Sequence, residues 1–296
     1  MKHNTPPKSR EKKDRLWTAV LVCVFLVGMA ILLYPSVSDW WNTRTQSKAV
    51  ASYDAQVSSL SEVDYSAYFE AAAAYNEKLH ELGSSVALAA PDQVEGDYWS
   101  LLNITDSGIM GYVTIEKINI QLPIYHGTDA SVLQVGVGHL QGSSLPVGGE
   151  GTHSVISAHR GLPSARLFTD IDQLEVGDTF TITVLGQVFT YKVDLISIVL
   201  PSKMEALYIA DGMDYCTLMT CTPYGVNTHR LLVRGVRTTN EEEALIYVTA
   251  DAYQIEPILV APLLAVPLLL VLLVWLLAGS SRRRKSPTPH DDQPEG

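Results

Sequence analysis

Two uncharged apolar runs near opposite ends restrict this chain to few architectures. The first, Leu16 to Tyr34, is 19 residues long and the second, Pro257 to Gly279, is 23. About 20 apolar residues suffice to cross the hydrocarbon layer as a helix. Lys2, Lys8, Arg10, Lys12, Lys13 and Arg15 precede the first run against only Glu11 and Asp14, and Arg282-Arg283-Arg284-Lys285 follows the second. The positive-inside rule then predicts two spans, both termini in the cytoplasm and residues 35–256 outside. Pro262 and Pro267 are compatible with the second span, because neighbours and local adjustments satisfy freed backbone groups there. A cleaved signal peptide ending near Ser36-Val37-Ser38 is the alternative for the first run. Its 19 residues exceed the roughly 7 to 15 of such signals, which favours a retained anchor.

Charge is distributed unevenly about these runs. Residues 35–256 carry 11 Lys and Arg against 27 Asp and Glu, a balance of −16, whereas the whole chain stands at −11 with basic ends. An acidic exterior argues against nucleic acid or anionic lipid as the ligand of this part. Its blander meaning is solubility outside a cell. Of three cysteines, Cys23 lies in the first run and only Cys216 and Cys221 lie outside, so a disulfide scaffold is not expected. Five apart on one expected strand, these two point to opposite faces and cannot bridge each other.

Between the runs the pattern changes character near residue 105. Tyr65, Tyr68, Ala72, Tyr75, Leu79 and Leu82 recur at spacings of 3 and 4, and Ser61 with Asp64 resembles a capping box. This predicts one amphipathic helix over 61–82 whose stripe packs on a neighbouring domain. Residues 83–104, punctuated by Gly, Ser, Ala and Pro, read as loop or short turns. Beyond Gly108 the signal is β. Expected strands are Gly111–Ile118, Ile120–Tyr125, His153–His159, Thr179–Val184, Val188–Leu195, Tyr215–Cys221 and Arg230–Val236. Short strands without long intervening helices predict a closed barrel or a sandwich.

Chemistry concentrates at strand ends. Thr217-Leu218-Met219-Thr220-Cys221-Thr222 puts a thiol at the end of one alternating strand, and Arg230 opens the next. Strand parity places Tyr215, Thr217, Met219 and Cys221 on one face and Arg230, Leu232 and Arg234 on one face of the following strand. A hairpin connection over Thr222–His229 makes Cys221 and Arg230 near neighbours. Ser157-Ala158-His159-Arg160-Gly161 adds an imidazole at a third strand end. A thiol needs a nearby cation or proton acceptor to act as nucleophile, His159 can exchange a proton near neutral pH, and Arg230 cannot. A fixed guanidinium can stabilise the oxyanion of acyl transfer.

The same residue types also fit plain structural roles. A strand cysteine is usually a small buried hydrophobe and an arginine usually a solvated charge. His126, His139, His153 and His229 lack the spacing of a metal site, so no metal is expected. A papain-type hydrolase is a rival reading, but its local Cys-Gly-Ser-Cys-Trp signature is missing. A non-enzymatic surface assembly protein is the other.

The stretch from Thr217 to Gly235, TLMTCTPYGVNTHRLLVRG, resembles the signature around the nucleophile of sortases, especially the class C, pilin-polymerising group. Gly151 to Pro163 (GTHSVISAHRGLP) and Leu122 to Gly127 (LPIYHG) match in family order, and the resemblance covers about residues 108–237. It implies a mostly β fold, an eight-stranded sortase-type β-barrel with an N-terminal helical extension and two flanking transmembrane helices. It implies Cys221 as nucleophile, His159 as general acid and base, and Arg230 as the residue that holds the sorting signal and supports the oxyanion. The implied reaction cleaves an LPXTG-like signal at Thr-Gly through a thioester and transfers it to a pilin lysine; a wall-anchoring sortase would use a peptidoglycan-precursor amine instead. No cofactor is implied. The implied partners are pilin or surface proteins with LPXTG-like signals and the membrane, not nucleic acid.

The expected organisation is a cytoplasmic tail over 1–15, a span over 16–34, an extracellular helical and loop extension over 35–107, and a catalytic barrel over 108–237. A connector over 238–256, a second span over 257–279 and a tail over 280–296 complete it. One departure stands out. Class C members commonly carry an Asp-Pro-aromatic lid before the barrel, whereas residues 84–99 contain Pro91-Asp92-Gln93 and Asp97-Tyr98-Trp99 but no such tripeptide. A degenerate or absent lid and a more open site are expected.

Overall fold

From Leu16 onward the longest element, α1 (Lys8–Val57), carries an exposed run of apolar side chains. The computed structural model describes residues 8–60, 62–94, 96–104 and 107–238, together with Pro267, Leu269 and Val271. The chain divides into two units, residues 1–37 with 251–296 and residues 38–250. In the first unit, α1 is long and apolar enough to cross a membrane, with a mean hydropathy of 2.7 over its most apolar 18 residues. It is the only such helix among the described residues. Of the second expected span, only Pro267, Leu269 and Val271 are described, all helical. The rest of that expectation, the connector beyond Thr238, the C-terminal tail and the Ser61 cap lie outside the described residues.

The second unit begins within α1, which is continuous through Pro35. The sequence reading placed no helix between Tyr34 and Ser61, and the reason is physical. The inward stripe here is Asp39, Asn42, Gln46, Val50, Tyr53 and Val57, half of it polar, so hydropathy does not reveal it. Asn42 Nδ2 donates to the Ser164 carbonyl (2.7 Å), Gln46 Nε2 to the Val135 carbonyl (3.0 Å), and Asp39 accepts from the Arg166 amide (2.8 Å). Tyr53 is fully buried; its hydroxyl donates to the Met110 carbonyl (3.0 Å) and accepts from the Leu185 amide (2.9 Å).

Helix α2 (Glu62–Leu82) buries Ala72, Tyr75, Asn76 and Leu79 at spacings of 3, 1 and 3. Asn76 pairs with both backbone groups of Leu145, at 2.7 and 3.1 Å, fixing the helix on the loop that leads to Thr152. The expected loop over 83–104 contains a short helix, α3 (Ser84–Ala89), and a 3₁₀ turn over Pro91–Gln93. Helix α3 lies against Gly142, where a Cβ would stand 2.3 Å from the Ala87 carbonyl oxygen. No larger residue fits at 142.

Eight strands close into a barrel: β1 (Ile109–Ile115), β2 (Ile120–His126), β3 (Val137–His139), β4 (Thr152–Ser157), β5 (Thr179–Val184), β6 (Gln187–Val199), β7 (Asp214–Thr222) and β8 (His229–Arg237). Their order is β1-β2-β3-β4-β7-β8-β6-β5, with β2·β3 and β4·β7 parallel and the rest antiparallel. The sequence reading missed β3, whose three residues are too short to show a period, and a one-turn helix, α4 (Ala130–Leu133), precedes it. It ended β6 four residues early; the ladder with β8 shifts register between Val193 and Leu195 and then continues to Val199. Met110, Ile115, Ile124, Ile156, Phe168, Phe180 and Tyr191 fill the interior, each less than 2% exposed.

Candidate active site

Register, rather than proximity in sequence, brings the three expected residues together. The parallel ladder of β4 and β7 pairs Thr152 with Asp214 and, in step, Ser157 with Met219. Carried two residues past that pair, the same register directs His159 toward Cys221, by way of a first step that sets Ala158 beside Thr220. That step is fastened by two bonds: the Ala158 amide donates to the Met219 carbonyl (3.2 Å), and the buried Thr220 hydroxyl donates to the Ala158 carbonyl (2.8 Å). On the other side, the antiparallel ladder of β7 and β8 pairs Cys221 with Arg230. Arg230 therefore faces Cys221 across one ladder, with neighbouring strands about 4.8 Å apart, and the register of β4 on β7 points His159 toward the other side of Cys221. All three are half-buried, as side chains at the mouth of a cleft should be.

Each flank is held in place by its own contacts. Past β4 the chain turns at Gly161, whose φ of +78° and close approach to the Tyr224 ring, 2.9 Å from where a Cβ would sit, exclude larger residues. Arg160 donates to Thr222 Oγ1 (3.3 Å) and pairs with Asp172, and the His159 carbonyl accepts from the Phe168 amide (3.2 Å). The guanidinium of Arg230 donates to the carbonyls of His229 (3.1 Å) and Asn227 (3.4 Å). Among the described residues no carboxylate pairs with it, so its charge is available to a ligand.

Successive rows on this outward face have different characters. Behind the row of Cys221 lie Ser157, Met219 and Leu232, of which Met219 and Leu232 join Val155 and Leu207 in an apolar cluster. A groove runs over it beside Arg230, with Leu140 on one side and Val199, Leu200, Met204 and Leu207 on the other. The groove joins an apolar floor to the Arg230 cation, whose ladder partner is Cys221.

A family model described as a sortase domain matches residues 113–238. The crystal structure of sortase C1 from Streptococcus agalactiae is 50% identical, with a TM-score of 0.62 over 65% of this chain and 99% of that one. The chain belongs to the sortase family. Clostridium perfringens sortase C, solved with the C-terminal cell wall sorting motif, is 42% identical with a TM-score of 0.58, covering 65% of this sortase and 98% of that chain. Sortase D of Bacillus subtilis is 33% identical over 132 residues, 44% of this chain; the match spans 64% of that protein's length.

The second thiol of the barrel differs sharply from the first. Cys216 points into the barrel, fully buried, where burial and the nearby Asp214 push its thiol well above the usual range. It behaves as a small hydrophobe. Two other histidines are buried on the barrel: burial pushes both His139 and His153 down to about 4.

Among its described residues, the segment over 84–99 stands at the groove without closing it through an acid–arginine pair. Asp92 accepts from Gln141 Nε2 (3.3 Å), and Leu88, like Leu140, Met204 and Met219, packs against the cluster of Val155, Leu207 and Leu232. Tyr98 and Trp99 belong elsewhere. The Tyr98 hydroxyl accepts from the Gly127 amide (3.0 Å), and Trp99 lies over Gly127 at the end of β2. Sequence reasoning missed Thr220, Arg160 and the groove wall over 199–207. Thr220 and Arg160 adjoin the motif residues, and that adjacency was the available signal; the wall is an irregular connection without periodicity.

Proposed function

We propose that this sortase is a cysteine transpeptidase that cleaves an LPXTG-like sorting signal between Thr and Gly and transfers the threonyl carbonyl to a pilin lysine, assembling pili. The observation that carries this reading is the pairing of Cys221 with Arg230 beside an apolar groove, with the register of β4 on β7 directing His159 to the same end. Cys221 Sγ attacks the threonyl carbonyl, Arg230 stabilises the oxyanion, and the C–N bond breaks as His159 gives a proton to the glycine amine. The thioester is then attacked by a neutral lysine amine. His159 takes up the amine proton, the C–S bond breaks, and an isopeptide bond replaces it. The apolar groove suits the Leu-Pro part of such a signal, and the acidic exterior suits a soluble protein partner.

The same reading places residues 35–256 outside the cell, both termini in the cytoplasm and a second span over 257–279. It is supported by the apolar, exposed part of α1 and the basic residues flanking both runs.

The test combines the full chain with a pilin carrying an LPXTG-like signal, a second pilin domain and a peptidoglycan-type amine. The expected product is a lysine isopeptide between the two pilins. Exclusive transfer to the wall-type amine contradicts pilin polymerisation, and no transfer at all, with unaltered polymer formation by Cys221→Ala in cells, favours an assembly platform. Arg230→Ala is expected to lower kcat/KM about 10²- to 10³-fold in peptide cleavage. Arg230→Lys should recover only part of this, since lysine lacks the planar fork. Full activity of the lysine variant would leave charge alone as the requirement.

A further inference from the structure

The groove wall comes from the connection between β6 and β7, residues 200–213, and most of its ties to the barrel gather at one end. Its first half carries Leu200, Met204 and Leu207, held by local turns such as Lys203 N to Leu200 O (2.9 Å) and Leu207 N to Met204 O (2.9 Å). The ties to the rest of the protein follow Leu207 directly. The Ile209 amide donates to Ser84 Oγ (2.8 Å), and the Met213 carbonyl accepts from the amides of Gly151 (2.8 Å) and Thr152 (3.1 Å). The tie nearest the wall is the Tyr208 carbonyl, 3.0 Å from Nδ1 of His153.

His153 is 1% exposed and lies on the outward face of β4, two positions before Val155. Its Nε2 is 2.7 Å from Thr217 Oγ1 on β7, and its ring tilts against Tyr215 at 5.5 Å. The Tyr215 ring in turn lies under the Arg234 guanidinium, which is paired with Asp194. Burial is the largest influence and, with the Arg234 charge, outweighs the opposing Tyr208 hydrogen bond and Asp194 charge, so the imidazole stays neutral. A neutral ring has one N–H, and a carbonyl can only accept. The tautomer follows: Nδ1–H donates to Tyr208, and the Thr217 hydroxyl donates to Nε2. Loop, ring and strand form one chain of bonds ending two residues from Met219 and four from Cys221.

We propose that His153 is a positioning residue for the peptide substrate, pinning the Tyr208 carbonyl so that the wall over 200–207 stands at a fixed distance from the apolar floor. This rests on the sortase reading of the groove and adds a residue that touches neither the reacting atoms nor the peptide. Its loss weakens peptide binding and leaves the thiol chemistry in place.

The test uses the full chain in detergent, a fluorogenic LPXTG-like peptide, and hydrogen exchange of the amides over 200–208. His153→Ala is expected to raise KM about 10-fold with kcat changed less than about threefold. The 200–208 amides should exchange faster, while Cys221 reacts with methyl methanethiosulfonate at the wild-type rate. His153→Asn, whose side-chain N–H reaches about where Nδ1–H stood, should return KM to within about threefold of wild type. Should the alanine variant fail to fold, Thr217→Val, which keeps the shape and removes only the hydroxyl, carries the same expectation at a smaller, several-fold rise in KM. The proposal is overturned if kcat falls with KM unchanged, if the Asn variant is as impaired as the Ala variant, or if exchange over 200–208 is unaltered. A wild-type chain that cleaves no peptide contradicts the function above, and exchange still decides the role of His153 in the wall.

Discussion

Cys221→Ala is expected to reduce cleavage of a sorting peptide by at least about 10⁴-fold, to the uncatalysed background, because no other group in the row can form the acyl intermediate. His159→Ala should come within about tenfold of the same loss, since a nucleophile and its proton donor act as a unit and their effects do not add. Cys216→Ala is the contrast. That thiol faces the barrel interior beside Tyr191 and Asp214, so its removal leaves a small cavity costing about 1 kcal/mol and does not touch the chemistry. Chromatographic separation of substrate and product peptides distinguishes the three variants. Comparable activity losses for Cys216→Ala and Cys221→Ala would show that the wrong sulfur had been assigned, or that both act only through the fold.

Acidification is expected to destabilise the barrel strongly between pH 6.5 and 4. His139 and His153 are both driven by burial from an ordinary 6.5 to about 4. In the unfolded chain they take up protons as pH falls through 6.5, whereas in the native barrel they stay neutral until about 4. The native state thus binds fewer protons in this window, and stability falls with pH by about 1.4 kcal/mol per pH unit for each histidine. The contribution is complete above pH 6.5 and lost on approach to 4. Two such groups amount to several kcal/mol, a large part of the roughly 5–15 kcal/mol that holds a domain together. Asp54 and Asp214 act in the opposite sense: burial raises both from 3.8, so the native state keeps their protons to higher pH than the unfolded chain does. Their offset applies from 3.8 up to their raised values, which leaves the histidine-driven loss clearest in the upper part of the window. Urea midpoints at a series of pH values should show the fall, and His139→Gln, though less stable at neutral pH, should show a shallower slope. A flat profile, or stability that rises from pH 6.5 to 5, would mean that these imidazoles are not held neutral.

Much of this architecture is legible in the residues, and the illegible parts share a cause. Period-2 alternation identifies seven of the eight strands, and the 3–4 spacing over Tyr65–Leu82 identifies α2, because in both an apolar face must be buried. Parity along β7 and β8 and a short connection place Cys221 opposite Arg230; the ladder extends one pair further, to Thr222 and His229. The position of His159 is a different matter. It depends on the parallel register of β4 on β7, set by strands 62 positions apart in sequence, and nothing local encodes that offset. Motif resemblance alone supplied it. The docked part of α1 was hidden because Asp39, Asn42 and Gln46 bind backbone groups of loops far along the chain, so the buried stripe is polar. Strand β3 is too short for a period, and the groove wall over 200–207 is irregular, fixed by bonds such as Tyr208 to His153 that only the folded barrel creates.

The most decisive measurement is the mass of the full chain quenched in acid seconds after mixing with an LPXTG-like peptide. A gain equal to the peptide up to and including its threonine, mapped to Cys221, removed by hydroxylamine and absent from Cys221→Ala, is the expected result. Peptide cleavage that proceeds without any adduct on Cys221, or with the acyl group on another residue, would contradict a nucleophilic role for this thiol between His159 and Arg230.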